Sequence, residues 1–377
     1  MSQFAVRLAT IDRIEVHPNA DAIEIAILGG YRSIVRKAEG FTAGSLVVYI
    51  PQAALLPEYL LRRLGLWDEA LNQGTLGGQD FNRVSPVRFR GIFSQGICMK
   101  VEGDGAGRGR VSGPDGDFLA EVGEDVAERL GIEKWVPVVP DCLIGDVFAP
   151  GQMLTVDFDI EDIKAHPNII LPGEEVEFRE KLHGVFTGVG LLPADNAMPE
   201  AYGKERNILV YSKGLGAQGM SFANTKANER LPHIRSTAVL RARLEELAGT
   251  LEAPLTVMGE TFGPGVQDLH YGDKIQFRIF AACRGNRGDH KFLDADELQA
   301  LAALLGVETV PVIYRGPFSW EKLDEHTSGQ TLMGAKNIRE GVVVTPVIER
   351  EDMRLGRVAL KSVSEKYLLR KGGTEYS

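Results

Sequence analysis

Between Phe4 and about Val101 apolar residues come in short runs that alternate with polar ones: FAVRLATIDRIEVH, AIEIAIL, RSIVRKA and SLVVYIP, then PVRFRGIFSQGICMKV. A period of two sends successive side chains to opposite faces of a strand. Asn19, Gly29, Gly30, Gly40 and Gly44 interrupt the early runs where the chain has to turn. Short strands at even spacing predict a small β-barrel rather than a helical domain. The stretch LPEYLLRRLGLW is apolar at helical spacing, so one helix is expected to cross the barrel. The Gly- and Asp-rich GDGAGRGRVSGPDGD reads as a mobile loop tip, and GEDVAERLGIEKW as a short helix.

The proline-punctuated VPVVPDC marks a boundary, after which the rhythm changes. Amphipathic helices, TAVLRARLEELAG and DADELQALAALLG, are interspersed with longer strand-like runs: EVEFREKLHG, NILVYSKG, LTVMGETFG, KIQFRIFAAC, EGVVVTP and RVALKSV. Without a strict strand–helix–strand alternation, this predicts an α+β domain built on largely antiparallel sheets. At 377 residues, 44% of them hydrophobic, the chain can fill two cores, since single cores stop growing at about 250–300 residues. The expected domains are residues 1–146 and 147–377.

A net charge of −10 excludes a protein that coats nucleic acid through bulk electrostatics, because such binding needs a basic footprint. Any such contact must be local. Arg83, Arg88, Arg90 and Lys100 lie in a segment without acids, and Arg354, Arg357, Lys361, Lys366, Arg370 and Lys371 form a C-terminal basic run. Cys98, Cys142 and Cys283 are widely spaced and supply neither a disulfide framework nor a zinc site. With no basic-then-apolar leader and no apolar run near the roughly 18 residues of a membrane span, the expectation is a soluble, cytoplasmic protein.

The residues that carry chemistry begin at Glu180-Lys181-Leu182-His183-Gly184, where a lysine ends a strand-like run beside a glycine that admits close approach of a ligand. Alone, a Lys-x-x-Gly tetrapeptide says little. Downstream, each on or beside a strand, come Gly259-Glu260-Thr261-Phe262-Gly263, Phe277-Arg278-Ile279-Phe280, Glu340-Gly341-Val342-Val343-Val344 and Leu360-Lys361-Ser362. A lysine nucleophile must be a neutral amine, yet a free lysine with a pKa near 10.4 is protonated at neutral pH. Burial, a neighbouring cation such as Lys361 and a divalent metal would each favour the neutral form.

In order and type this series resembles motifs I, III, IIIa, IV and V of the covalent nucleotidyltransferases, the ATP-dependent ligases and GTP-dependent capping enzymes. The wording EKLHG followed by YSKGLGAQG is similar to RNA ligases; DNA ligases usually have Asp where His183 stands. His17-Pro18-Asn19-Ala20-Asp21, together with FRGIFSQGI, resembles tRNA-binding OB folds. An OB module ahead of the transferase domain is the layout of one small RNA ligase family, whereas DNA ligases and capping enzymes usually place it after.

The resemblance implies an ATP-dependent RNA ligase that joins 3′-hydroxyl and 5′-phosphate ends through a lysyl-AMP on Lys181, in RNA repair or nick sealing. A DNA ligase, a capping-type nucleotidyltransferase and a non-catalytic tRNA- or RNA-binding protein are the alternatives. It implies ATP and Mg²⁺ or Mn²⁺ as cofactors, RNA or an RNA-containing duplex with a 5′-phosphate as partner, and a monomer. Lys181 and Lys361 are the expected catalytic residues. Glu180, Leu182, Gly184, Lys213, Glu260, Phe280, Glu340, Lys361 and Lys164 are expected to bind the nucleotide. Glu340 and Glu260 would meet the metal, Glu260 also the ribose, and Phe280 the adenine. Arg88 and Arg90 would bind nucleic acid. Gly214 is a further candidate for phosphate or sugar contact. The HPNAD segment reads as a capped turn, with Asn19 and Asp21 reaching the metal or the ATP tail as the alternative. Two positions depart from the family pattern: Phe280 is followed by Ala281 rather than Asp, and position 359 is Ala, so only Lys361 remains of a Lys-x-Lys pair. Arg357 is the candidate replacement for that cation.

Overall fold

The computed structural model describes residues 4–104, 107–136, 147–148, 155–213, 220–247 and 249–370. The chain forms two compact units. One is made of residues 3–136 joined by 163–167; the other contains 137–162 and 168–377. The expected boundary near 146 adjoins residues 137–146, which lie outside the described residues.

The N-terminal unit is the expected small barrel. Arg7–Thr10, Leu46–Ile50 and Ile97–Lys100 make one antiparallel sheet, and Arg13–Val16, Ile23–Leu28 and Tyr31–Arg36 make a second. Val6 and the first sheet's inward residues Leu8, Val48, Ile50 and Met99 close on the helix Glu58–Arg63 through its buried Leu60 and Leu61. The glycine-rich stretch read as a loop tip is instead largely a hairpin, Arg108–Gly113 with Gly116–Glu121. Its glycines serve packing: a Cβ on Gly109 would meet Val101 and Leu8 side chains at 2.9–3.0 Å. The expected helix after it shrinks to one 3₁₀ turn, Glu128–Leu130, closed by Gly131 at φ 60°.

The second unit stacks its chemistry on two sheets. The seven-stranded sheet runs in the order Val147–Phe148, Met220–Phe222, Ile208–Ser212, Val185–Leu191, Leu255–Phe262, Gln276–Arg284, Lys291–Phe292. The five-stranded sheet runs Glu161–Asp162, Leu360–Val363, Gly341–Pro346, Glu175–Lys181, Val312–Pro317. All pairs are antiparallel except Glu161–Asp162 with Leu360–Val363. Helices Ala238–Glu246 and Ala295–Leu305 cover the seven-stranded sheet through Leu240, Leu244, Leu298, Ala302 and Leu305. The second starts at an Asp294–Glu297 capping box and ends at Gly306 in the left-handed conformation.

One polar cluster is sealed into this apolar layer. Thr187 Oγ1 bonds both His233 Nδ1 and Thr261 Oγ1 at 2.7 Å, Ser236 Oγ meets Thr261 Oγ1 at 2.8 Å, and the His233 ring stacks on Phe222. Two of these bonds tie the helix Pro232–Ser236 to the neighbouring strands Val185–Leu191 and Leu255–Phe262, and the third joins the strands to each other. Burial pushes the His233 imidazole down to about 4 from 6.5. Because the folded value is depressed, the contribution of neutral His233 is full above pH 6.5 and is lost as pH falls through 4. The loss should approach about 3 kcal/mol. Thermal midpoints of wild type and His233→Gln, compared between pH 7 and 4, should converge or cross as pH drops; a pH-independent gap would refute the assignment.

Candidate active site

The lysine strand Glu175–Lys181 ends in the five-stranded sheet, and Val185–Leu191 begins in the seven-stranded one. Leu182, His183 and Gly184 carry the chain between them. A Cβ on Gly184 would lie 2.3 Å from the Thr261 carbonyl oxygen, so only glycine lets the backbone pass this close. The two sheets flank a cavity of roughly 310 Å³, within the usual range for small-molecule sites.

Strand register decides what faces it. On the five-stranded sheet Arg179 pairs with Val343, and Val343 with Lys361, which puts these side chains in one row on the cavity side. Lys181 follows two residues after Arg179, opposite Gly341, and Glu340 immediately precedes that partner. On the other sheet Glu260 pairs with Phe186. There the register shifts, Met258 pairing with Ala281 but Gly259 with Ile279, so Phe280 is the extra residue of a β-bulge. The bulge turns its ring into the cavity wall beside Phe158 and Phe186, with centroids 6.0 Å from each.

Lys181 Nζ donates to Glu340 Oε1 at 2.5 Å. Burial alone would raise the Glu340 carboxyl, but the charge of Lys181, helped by His183, outweighs it and holds the group below its usual value. Glu340 Oε2 has no hydrogen-bond partner among the described residues; His183 Nδ1 stands 3.7 Å away. Burial pushes the Glu260 carboxyl up to about 8, with Lys181 opposing and Glu340 reinforcing. Lys361 is lowered by burial and by the charge of Lys181, and Lys213 by burial. Lys213 Nζ reaches Asp159 Oδ1 at 2.8 Å. Glu180 is buried and raised, with Oε2 accepting from the Leu332 amide at 2.8 Å.

His183 is not aimed at solvent. Its Nε2 meets Asp268 Oδ1 at 2.7 Å, its Nδ1 meets the Tyr367 hydroxyl at 2.9 Å, and its amide donates to the Tyr271 hydroxyl at 3.0 Å. Arg370 closes the network, donating to Asp268 Oδ2 at 3.1 Å and stacking over Tyr367.

The structure thus brings Glu180, Lys181, Leu182, Gly184, Lys213, Glu260, Phe280 and Lys361 to one cavity, with Glu340 bonded to its lysine. Lys164 lies in residues 163–167, which belong with the N-terminal unit, and its Nζ donates to Gln95 Oε1 at 3.1 Å. Gly214 lies outside the described residues. Arg88 and Arg90 sit on an exposed hairpin of the N-terminal unit. Arg357 lines the cavity. Its guanidinium lies 4.3 Å from the centroids of both Phe158 and Phe292, whose rings meet edge to face, and its Nε donates to Glu349 at 3.0 Å. The sequence reading missed Phe158, Phe186 and Arg179. Alternation would have found two of them, since Arg179 precedes Lys181 by two residues and Phe186 follows Gly184 by two.

The architecture is an OB module followed by an antiparallel-sheet ligase domain. The RNA ligase profile matches residues 174–363 and an OB-fold domain profile matches residues 6–101, so the chain belongs to the RNA ligase family. Solved structures of a Naegleria gruberi RNA ligase share the fold. A variant with AMP and Mn has a TM-score of 0.72 at 22% identity, covering 97% of this chain and 98% of that one. The same ligase with PPi gives 0.71 at 22% identity, again over 97% and 98%. No curated protein sequence matches.

The raised Glu260 carboxyl makes a pH prediction. Since its folded value lies above the unfolded 4.5, its favourable contribution is full below pH 4.5 and is lost as pH rises through 8. Glu260→Gln keeps the shape without the charge, so its thermal midpoint should gain on wild type between pH 5 and 9. A gap that stays constant over that range would show that Glu260 is ionised throughout.

Proposed function

We propose that this RNA ligase uses ATP to activate RNA 5′-phosphates, with Lys181 as the residue that carries AMP. The observation that supports this best is Lys181 in the lining of a nucleotide-sized cavity, bonded to Glu340 and close enough to Lys361 and Glu260 to shift both. In the first step Lys181 Nζ attacks the α-phosphorus of ATP, the Nζ–P bond forming as the bond to pyrophosphate breaks. In the second, an oxygen of the RNA 5′-phosphate takes AMP from the lysine. In the third, a 3′-hydroxyl attacks the activated phosphate and AMP leaves. Lys361 and Lys213 lie where they would offset charge on the phosphates. Phe280, and with it Phe186 and Phe158, would supply the faces for the adenine, and Val343 the opposite wall. Glu180, Leu182 and Gly184 would shape the nucleotide's seat, and Glu260 would meet the ribose.

A divalent ion fits the carboxylates present. Glu340 Oε2 is an orphaned buried acceptor, Glu260 lines the same cavity, and among the described residues there is no group of three or more metal-ligating side chains. That poverty of protein ligands suits Mg²⁺ or Mn²⁺, which take one or two carboxylates and complete their shell with water and phosphate oxygens. Bound there, such an ion would supply positive charge for the transferring phosphoryl group. Arg88 and Arg90 would hold the RNA on the OB module. A monomeric, cytoplasmic enzyme of RNA repair or nick sealing is the setting this reading implies. Among the described residues no helix is long and apolar enough to cross a membrane.

Incubating the protein with labelled ATP and running a denaturing gel tests the central step. Wild type should carry label, and Lys181→Ala should carry none. Lys181→Arg should fail equally, because a guanidinium does not deprotonate in a protein; label retained by either variant would sink the proposal. For Glu340, the labelling rate measured against magnesium or manganese concentration should fall in Glu340→Ala. It should recover in part at high metal in Glu340→Asp, whose carboxylate is about one methylene shorter. An unchanged metal dependence would leave Glu340 a purely structural role.

A further inference from the structure

The segment His17-Pro18-Asn19 resolves into a brace. His17 is 2% exposed, and its Nε2 donates to the Phe89 carbonyl oxygen at 3.1 Å, leaving Nδ1 to accept from the Asn19 amide at 3.1 Å. Asn19 Nδ2 in turn donates to the Arg90 carbonyl oxygen at 2.9 Å. Two consecutive carbonyls are thereby pinned at the tip of a hairpin, Val87–Phe89 with Ile92–Ser94. Its reversal, Arg90-Gly91, has φ 45° and 91°, the two-residue turn that normally takes Asn-Gly or Gly-Gly. An arginine is an expensive residue for that left-handed position.

What the brace holds out is unusual for a protein of net charge −10. Phe89 is 46% exposed and Val87 40%, on the same side of the outer strand, with Arg88 and Arg90 exposed beside them. The Phe89 ring has no aromatic or cationic partner among the described residues. From residue 81 to residue 100 there are four cations and no acid. A bare aromatic face set between arginines on a rigid ribbon is the combination that takes a nucleobase by stacking and its phosphates by charge.

We propose that this hairpin grips single-stranded RNA: an unpaired base stacks on Phe89 while Arg90, with Arg88, meets the flanking phosphates. Only an unpaired base can use the site, because base faces inside a duplex are already covered by their neighbours. The inference rests on the chain being an RNA ligase and specifies which part of the substrate its OB module holds. It makes Phe89 the anchor and His17 and Asn19 the residues that position it.

The test uses the full chain and fluorescence anisotropy with a labelled 5′-phosphorylated single-stranded RNA and a blunt RNA duplex of the same sequence. Phe89→Ala should weaken single-strand binding about 5- to 150-fold and leave duplex binding nearly unchanged. Phe89→Trp should bind like wild type, and Phe89→Leu, which keeps apolar area but no aromatic face, should lose as much as the alanine variant. Arg90→Gln should flatten the slope of log affinity against log salt by about 0.7, one phosphate on a single strand. Four results would overturn the proposal: unchanged binding in Phe89→Ala, wild-type binding in Phe89→Leu, equal losses on both RNAs, or a change confined to the protein's own sedimentation, which would make the hairpin a contact between copies. Label transfer from ATP to the wild-type chain is read separately, so failure of the ligase reading and failure of this one give different patterns.

Discussion

The close passage of backbone at Gly184 sets the geometry of the catalytic unit. Three residues take the chain from one sheet to the other, and the turn works only because nothing projects from Gly184 toward the Thr261 carbonyl. A second tight contact mirrors it: a Cβ on Gly341 would lie 2.1 Å from the Ser362 carbonyl oxygen. Gly341 is the register partner of Lys181 and follows Glu340. The two glycines therefore draw three strands and two sheets onto the same lysine. Widening either contact would move Glu340 away from Lys181 Nζ, and with it the charge that holds the Glu340 carboxyl below its usual value.

Around that lysine the protein tolerates a charge density that water would normally disperse. Taking an ion from water into a protein interior costs several kcal/mol unless it is paired. Lys181 with Glu340 and Lys213 with Asp159 meet that requirement. Glu180 Oε1 and Glu340 Oε2 do not, each lacking a hydrogen bond among the described residues. An unsatisfied buried acceptor is costly, and these two stand in the wall of the cavity and beside Lys181. The clamp of Asp268, Tyr367 and Arg370 on His183 adds rigidity immediately behind Glu340.

Much of this was legible in the sequence because each motif sits at a strand, where alternation fixes which residues share a face. The lysine, both carboxylates, Phe280 and Lys361 were found by the order and wording of their motifs, which resemble those of the covalent nucleotidyltransferases. The bulge that aims Phe280 was not, since register depends on the partner strand. Val185–Leu191 went unread because Gly188 and Gly190 look like turn residues; Gly188 is instead required, as a Cβ would strike the Tyr211 ring at 2.1 Å. Tyr211 also accepts from the Val156 amide at 3.2 Å, anchoring the segment that carries Phe158 and Asp159. The hairpin Arg108–Gly113 with Gly116–Glu121 was hidden for the same reason, glycines that serve close packing being indistinguishable in sequence from glycines that serve turns.

The two departures from the family pattern find a shared physical account. Ala281 is 1% exposed and packs with Val156, Met258 and Cys283. Burial there pushes the Cys283 thiol up to about 12, and the same surroundings would penalise a carboxylate at position 281. Ala359 is likewise buried, between Val358 and Leu360. An ammonium in so buried a place would need a partner of its own. The charge in this wall is carried by Arg357, which rests against the Phe158 and Phe292 rings and is paired with Glu349. This wall of the cavity is therefore largely aromatic, and the ionisable groups gather where Lys181, Lys361, Glu260 and Glu340 converge.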